Sequence, residues 1–202
     1  MASLQLDLAR IQPGFPNPVY SSQEVFRRCL SAMSRPGTLI EVAHDAEVPE
    51  PLTPAAGALA LTLLDHDTTV WLSPSLQCEE VITFLRFHTG CTVTDEPMKA
   101  AFGFVHSPAE LPPLEAFALG SEEFPQDSIT LVLQSHGLSS GIGWTLSGPG
   151  IHRSNLLRAA GYGADFAGMW AANHRRFPCG ADVIFASANL LCGLPRTTMI
   201  GS

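Results

Sequence analysis

The sequence predicts an α/β domain with a mixed sheet sandwiched between helical layers, and three observations lead there. Strand-like and helix-like stretches intermingle along the 202 residues instead of separating into blocks. Residues 128–134, SITLVLQ, form a near-continuous apolar run, the pattern of a strand covered on both faces in mid-sheet. Residues 57–64, GALALTLL, lack a polar face wide enough for a surface helix and so belong in a core.

Residues 1–18 read as an N-terminal arm, because Pro13, Gly14, Pro16 and Pro18 interrupt regular structure, and residues 19–202 read as one domain. Ser21 or Ser22 caps a first helix over 22–34, with Val25, Phe26, Cys29, Leu30 and Met33 inward at helical spacing. Pro36 and Gly37 stop it, and a strand follows over 38–42. The core helix leads into a turn, Asp65-His66-Asp67, and then a β-branched, aromatic strand over 68–72. A helix over 77–87 comes next, with Arg86 and His88 near its end at Gly90, where cations suit the helix dipole. Two short strands flank a turn at 95–97, and a proline-containing piece spans 108–119.

The SHGLSSG stretch reads as a turn that folds 128–134 and 141–147 into a hairpin. Ser154 caps a helix SNLLRAA, glycines 161 and 163 interrupt it, and a helix resumes from Ala164. Residues 183–186 and 190–194 make a last hairpin.

A net charge of −8 argues against general nucleic-acid binding. Between residues 38 and 127 the only lysine or arginine residues are Arg86 and Lys99, so an anionic ligand is expected to be held by the flanks. Five cysteines, with no CxxC spacing, fit reduced thiols and a cytoplasmic location. Neither a signal peptide nor a membrane span is readable, and no metal-ligand spacing occurs. GxxxxGK[ST], HExxH and GxSxG are missing, and Leu146 stands where a third Rossmann glycine would follow Gly141 and Gly143.

The remaining signals have two readings each. Asp65 and Asp67 with His66 form either an acid/base or ion-holding cluster or a capped, solvated turn. Arg86 and His88 form an anion clamp or complement a helix C-terminus. Arg35 and Arg196 sit beside prolines, aimed at a phosphate or carboxylate or paired with an acid of the middle region. Residues 148–151, ahead of the expected helix at Ser154, offer a phosphate-receiving terminus or an ordinary loop. If the two central helices pack side by side, Asp65, Asp67, Arg86 and His88 meet at one rim.

The succession FRRCLSAMSRPG (26–37), LLDHDTTVWL (63–72), LRFHTG (85–90), LSGPGI (146–151), FPCGADVIF (177–185) and LPRTT (194–198) resembles the PhnH family. That family supplies a subunit of the bacterial carbon–phosphorus lyase system. The resemblance implies a fold similar to the large domain of pyridoxal-phosphate (PLP)-dependent transferases but without PLP or another cofactor. It implies a homodimer that joins PhnG, PhnI and PhnJ in phosphonate catabolism, forming ribose 1-alkylphosphonate 5-triphosphate from ATP and an alkylphosphonate. It carries over no catalytic residue. An anion site at Arg35, Arg86, His88 and Arg196 and a polar cluster at Asp65 and Asp67 stay hypotheses of the residue reading.

Overall fold

The computed structural model describes residues 11–201. Asn17 caps the first helix by accepting from the Tyr20 N–H, and Pro18 takes the first helical position, where its missing N–H costs nothing. Helix α1 (Pro18–Ser34) thus begins four residues earlier than expected. Its buried residues are Val25, Cys29 and Ala32, whereas Phe26 and Leu30, expected inside, are exposed.

Strand β1 (Ile40–Glu41) is short. Helix α2 (Pro54–Leu63) is buried from Ala55 through Ala60, as its apolar circumference requires. Strand β2 (Thr69–Leu72) leads to α3 (Glu79–Thr89), which buries Val81, Phe84 and Leu85 and stops at Gly90 in the left-handed region (φ 73°). Strands β3 (Thr92–Thr94), β4 (Phe102–Val105) and β5 (Thr130–Gln134) follow. Then come β6 (Leu138–Ser147), β7 (Asn155–Ala159), α4 (Ala164–His174), β8 (Asp182–Ser187), β9 (Leu190–Leu194) and β10 (Met199–Gly201).

Seven strands form a mixed sheet in the order β1-β9-β8-β5-β4-β2-β3. β3, β2, β4, β5 and β8 run parallel, and β9 pairs antiparallel with β8 and β1. Alternation divides the core. Val70, Leu72, Phe104, Val132 and Ile184 pack with α1, α2 and α3 on one face. Trp71, Val105, Leu131, Leu133 and Phe185 face the opposite way, toward α4 and a second sheet ordered β10-β6-β7. One covering layer is therefore helical and the other is part sheet.

Two expectations are corrected here. Residues 138–147 do not fold back on β5; β6 leaves the main sheet and pairs with β7 and β10. The expected helix SNLLRAA is strand β7, in which buried Leu157 and Ala159 alternate with exposed Leu156 and Arg158. The phosphate-receiving helix terminus at 148–151 is lost with that helix.

Candidate functional site

The charged rim around Asp65 forms where α2 ends and β2 begins. The Asp65 N–H donates to Thr68 Oγ1 at 2.8 Å, the Thr68 hydroxyl donates back to the Asp65 carbonyl at 2.7 Å, and the Asp67 N–H donates to Asp65 Oδ1 at 3.0 Å. Asp65 thus closes its own turn, the usual work of an aspartate in that position. His66 Nε2 lies 3.4 Å from Asp67 Oδ2, and both side chains are more than four-fifths exposed. The turn meets the end of α3, because a Cβ on Gly90 would lie 3.4 Å from His66 Cβ. Yet no ion pair joins Asp65 or Asp67 to Arg86 or His88 among the described residues.

His88 turns elsewhere. Its Nε2 is 2.8 Å from the Gln12 carbonyl, its ring packs on Phe84 and Phe87, and it lies under Gly14, so it fastens residues 12–14 to α3. Arg86 is exposed on the last turn of α3, and its side chain makes no hydrogen bond or ion pair to a described residue. Among the described residues no group of three His, Cys, Asp or Glu could hold a metal ion.

Arg196 is enclosed. Its Nε donates to both oxygens of Asp182 at 3.2 Å, Nη1 donates to the Pro125 and Pro178 carbonyls at 2.8 and 3.2 Å, and Nη2 donates to Asp182 Oδ2 at 2.5 Å and to Ser128 Oγ. A guanidinium has five N–H groups, and these contacts use all five. The Arg196 backbone N–H adds a 2.7 Å bond to Asp182 Oδ1. Asp182 opens β8 and Asp65 precedes β2. Both stand at the same end of the parallel strands, but β5 and β4 lie between, about 14 Å at the usual strand spacing. Arg196 therefore does not join the Asp65 rim.

Arg35 is exposed and its Nη2 donates to Ser31 Oγ, back along α1. Pro36 and Gly37 beside it are buried: Asn155 Nδ2 donates to the Pro36 carbonyl at 2.7 Å, and Gly150 packs beneath Ser34. Gly150 has φ +81°, and a Cβ there would come 2.3 Å from the Ser34 carbonyl oxygen, so only glycine fits.

A polar network not foreseen from sequence lies at the carboxyl ends of β2, β4 and β5, the edge where open α/β sheets commonly bind ligands. The Ser73 hydroxyl donates to Glu110 Oε2 at 2.5 Å, the Ser75 N–H donates to the same oxygen at 3.2 Å, and the Ser75 hydroxyl donates to Oε1. Burial disfavours the Glu110 carboxylate, but these bonds outweigh it and hold the carboxyl below its usual range. Gln134 is buried. Its Nε2 donates to the Pro51 carbonyl at 3.1 Å and lies 3.2 Å from His106 Nδ1, while its Oε1 accepts from the Thr53 N–H. With Gln134 donating, His106 Nδ1 is the acceptor nitrogen. The Tyr162 hydroxyl donates to the Gln134 carbonyl at 3.0 Å, and burial pushes its pKa up. These groups tie the ends of β2 and β5 to the loop ahead of α2 and the loop after β4, and Tyr162 ties the end of β5 to the turn after β7. Partners 28 to 83 positions apart leave no local sequence signal.

The sequence stretches singled out above thus meet in pairs. Residues 26–37 dock on 146–151, 63–72 on 85–90, and 177–185 on 194–198. Fold and charge placement together define a class: an α/β protein whose recognisable charges mostly brace its own backbone.

Comparison with known proteins makes this particular. The family model described as bacterial phosphonate metabolism protein (PhnH) matches residues 13–201. The chain is 39% identical over 186 residues to the α-D-ribose 1-methylphosphonate 5-triphosphate synthase subunit PhnH of Rhizobium meliloti (strain 1021), covering 92% of this chain and 93% of that protein. It is 30% identical over 179 residues to the Stutzerimonas stutzeri protein named as C-P lyase subunit HtxG, covering 88% and 85%. The chain belongs to the PhnH family.

Proposed function

We propose that this chain acts in phosphonate catabolism in the cytoplasm, as a subunit of an assembly that makes a ribose 1-alkylphosphonate 5-triphosphate, and that its contribution is chiefly architectural. The observation that carries the architectural part is the outer face of α1. Val19, Tyr20, Phe26 and Leu30 are 77%, 72%, 45% and 52% exposed. At 100° per residue, Val19, Phe26 and Leu30 fall within about 40° of one another, on a side distinct from the buried Val25, Cys29 and Ala32. An uncovered apolar stripe on the longest helix is what a protein contact surface looks like before assembly. A second copy of the chain and the PhnG, PhnI and PhnJ subunits are the partners this reading supplies. The layered sheet accords with the transferase-like fold without PLP; Lys99, the chain's single lysine, is exposed and paired with Glu96 at 2.7 Å.

A second reading gives the subunit a share in holding ATP or the alkylphosphonate through Arg35, Arg86 and His88. Arg86 favours it, being exposed and without a partner among the described residues. The test replaces the chromosomal copy with Leu30→Asp or with Arg86→Glu and measures growth on methylphosphonate as sole phosphorus source. The architectural reading expects the first to fail and the second to grow. Failure of Arg86→Glu with an intact assembly would instead favour the ligand reading.

A further inference from the structure

In a chain of net charge −8, residues 128–164 contain no Asp or Glu, and their cations are Arg153 and Arg158. The fold lays part of this stretch along an open groove of about 530 Å3 between the segment entering β1 and the start of β7. Thr38, Ser140 and Ser154 bring hydroxyls to its lining, Asn155 and Leu156 form one wall, and Gly37 lies beneath. Gly37 contacts Asn155 so closely that an added Cβ would sit 2.9 Å from the Asn155 Cβ, which keeps the floor low.

Two arginines whose side chains have no partner among the described residues stand beside the lining residues in sequence. Arg153 immediately precedes Ser154 in the lining. Arg158 follows Leu156 on the same exposed side of β7, about 7 Å further along the strand. Neither side chain makes a hydrogen bond or ion pair with a described residue, in contrast to Arg196 and Arg176. The acid nearest the lining in sequence is Glu41, two positions beyond Leu39 and exposed. Beside the hydroxyls, Leu39 and Leu156 give the lining an apolar margin, Leu156 being 37% exposed. A bulge sets Gly141 at the lining, since Ser140 and Trp144 both pair with Leu157 and residues 141–143 stand outside the ladder.

We infer that this groove binds a small phosphate ester of nucleotide size. The arginines and hydroxyls take the phosphoryl oxygens, and the Leu39–Leu156 margin takes the apolar part. The volume falls in the range of small-molecule sites, about 300–1,000 Å3. A phosphate ester uses both halves of the groove, the cationic and the apolar, whereas an acidic protein segment uses only the first. This site is separate from the α1 contact face and from Arg86, His88 and Arg196; Arg35 borders it, since its carbonyl accepts from the Thr38 N–H at 3.1 Å.

The test is calorimetric titration of the purified full chain with ATP and, separately, with inorganic pyrophosphate. Saturable binding of both is expected, with ATP tighter. Arg153→Glu and Arg158→Glu should each weaken both ligands by about tenfold or more, the loss of one charge-assisted hydrogen bond. Leu156→Ser should narrow the advantage of ATP over pyrophosphate. Arg176→Glu, at an arginine near Glu115, should bind as the unchanged chain does. Both groove arginines are exposed, so their variants should stay folded; Arg153→Gln and Arg158→Gln repeat the test without charge reversal. No saturable binding at millimolar ligand, or binding indifferent to both arginines, overturns the inference. Variants that bind ATP normally but fail to join partner subunits overturn it in favour of an acidic protein segment.

Discussion

Replacing Arg196 by alanine should unfold the protein earlier without touching a ligand site. The guanidinium closes a joint between the start of β8, the turn after β9 and the segment ahead of β5, and its removal leaves Asp182 only the backbone N–H of residue 196 and takes a donor from Ser128 and from two carbonyls. Breaking a fully buried ion pair costs about 3–5 kcal/mol, since the surviving charge stays uncompensated. Here the side chains are 14% and 19% exposed, so water partly repays Asp182, and about 2–3 kcal/mol is expected. For a chain of this length that corresponds to roughly 5–10 °C in Tm. Arg196→Lys keeps the charge but not the fork, and should fall between the two. Thermal unfolding followed by circular dichroism reads the shift. In a double-mutant cycle with Asp182→Asn the effects should be strongly non-additive. The reasoning is refuted if Arg196→Ala melts with the unchanged chain while the assembly forms and makes no product, for then the arginine serves a ligand.

Further outcomes follow from other joints. Gly150→Ala forces a side chain into the Ser34 carbonyl at positive φ and should cost about 2–4 kcal/mol in chemical denaturation. Burial holds the His44 pKa below the usual imidazole value, and its buried Nε2 has no hydrogen-bond partner among the described residues. A depressed imidazole contributes stability above its unfolded pKa, near 6.5, that is lost as pH falls below it. His44→Phe should therefore flatten the stability profile just below pH 6.5. Glu110, held low by Ser73 and Ser75, contributes stability above the ordinary carboxylate range that disappears on acidification. Glu110→Gln should remove that acid limb. Burial pushes the Cys29 thiol up to about 11 and the Cys192 thiol up to about 12, and raises that of Cys91. Alkylation of the native protein near pH 8, read by mass spectrometry, should label Cys78 and Cys179 first.

Local pattern carried much of the fold. The apolar run in α2, the stripe Val81, Phe84 and Leu85 in α3, the β-branched β2 and the hairpin of β8 and β9 all report their own conformation. Where the sequence misled, tertiary pairing overrode propensity. Asn155–Ala159 contains two leucines, an arginine and an alanine, all good helix formers, yet pairing with β6 makes it a strand. Phe26 and Leu30 match a core stripe by spacing but lie on the face that α1 turns away from the sheet. The Asp65 rim was legible as a turn because its bonds span two or three residues. The partners of Arg196 lie 14 to 71 positions away, so its confinement could only be seen in three dimensions.

The central claim is that the charged motifs brace the subunit and that the α1 face joins it to its assembly. The direct measurement is affinity purification of a tagged chain carrying Phe26→Asp and Leu30→Asp, expressed with the other subunits, with its melting curve taken alongside. An unchanged Tm with loss of co-purifying subunits is the predicted result, because both positions are solvent-exposed in the isolated chain. Recovery of the complete assembly at normal stoichiometry would contradict it.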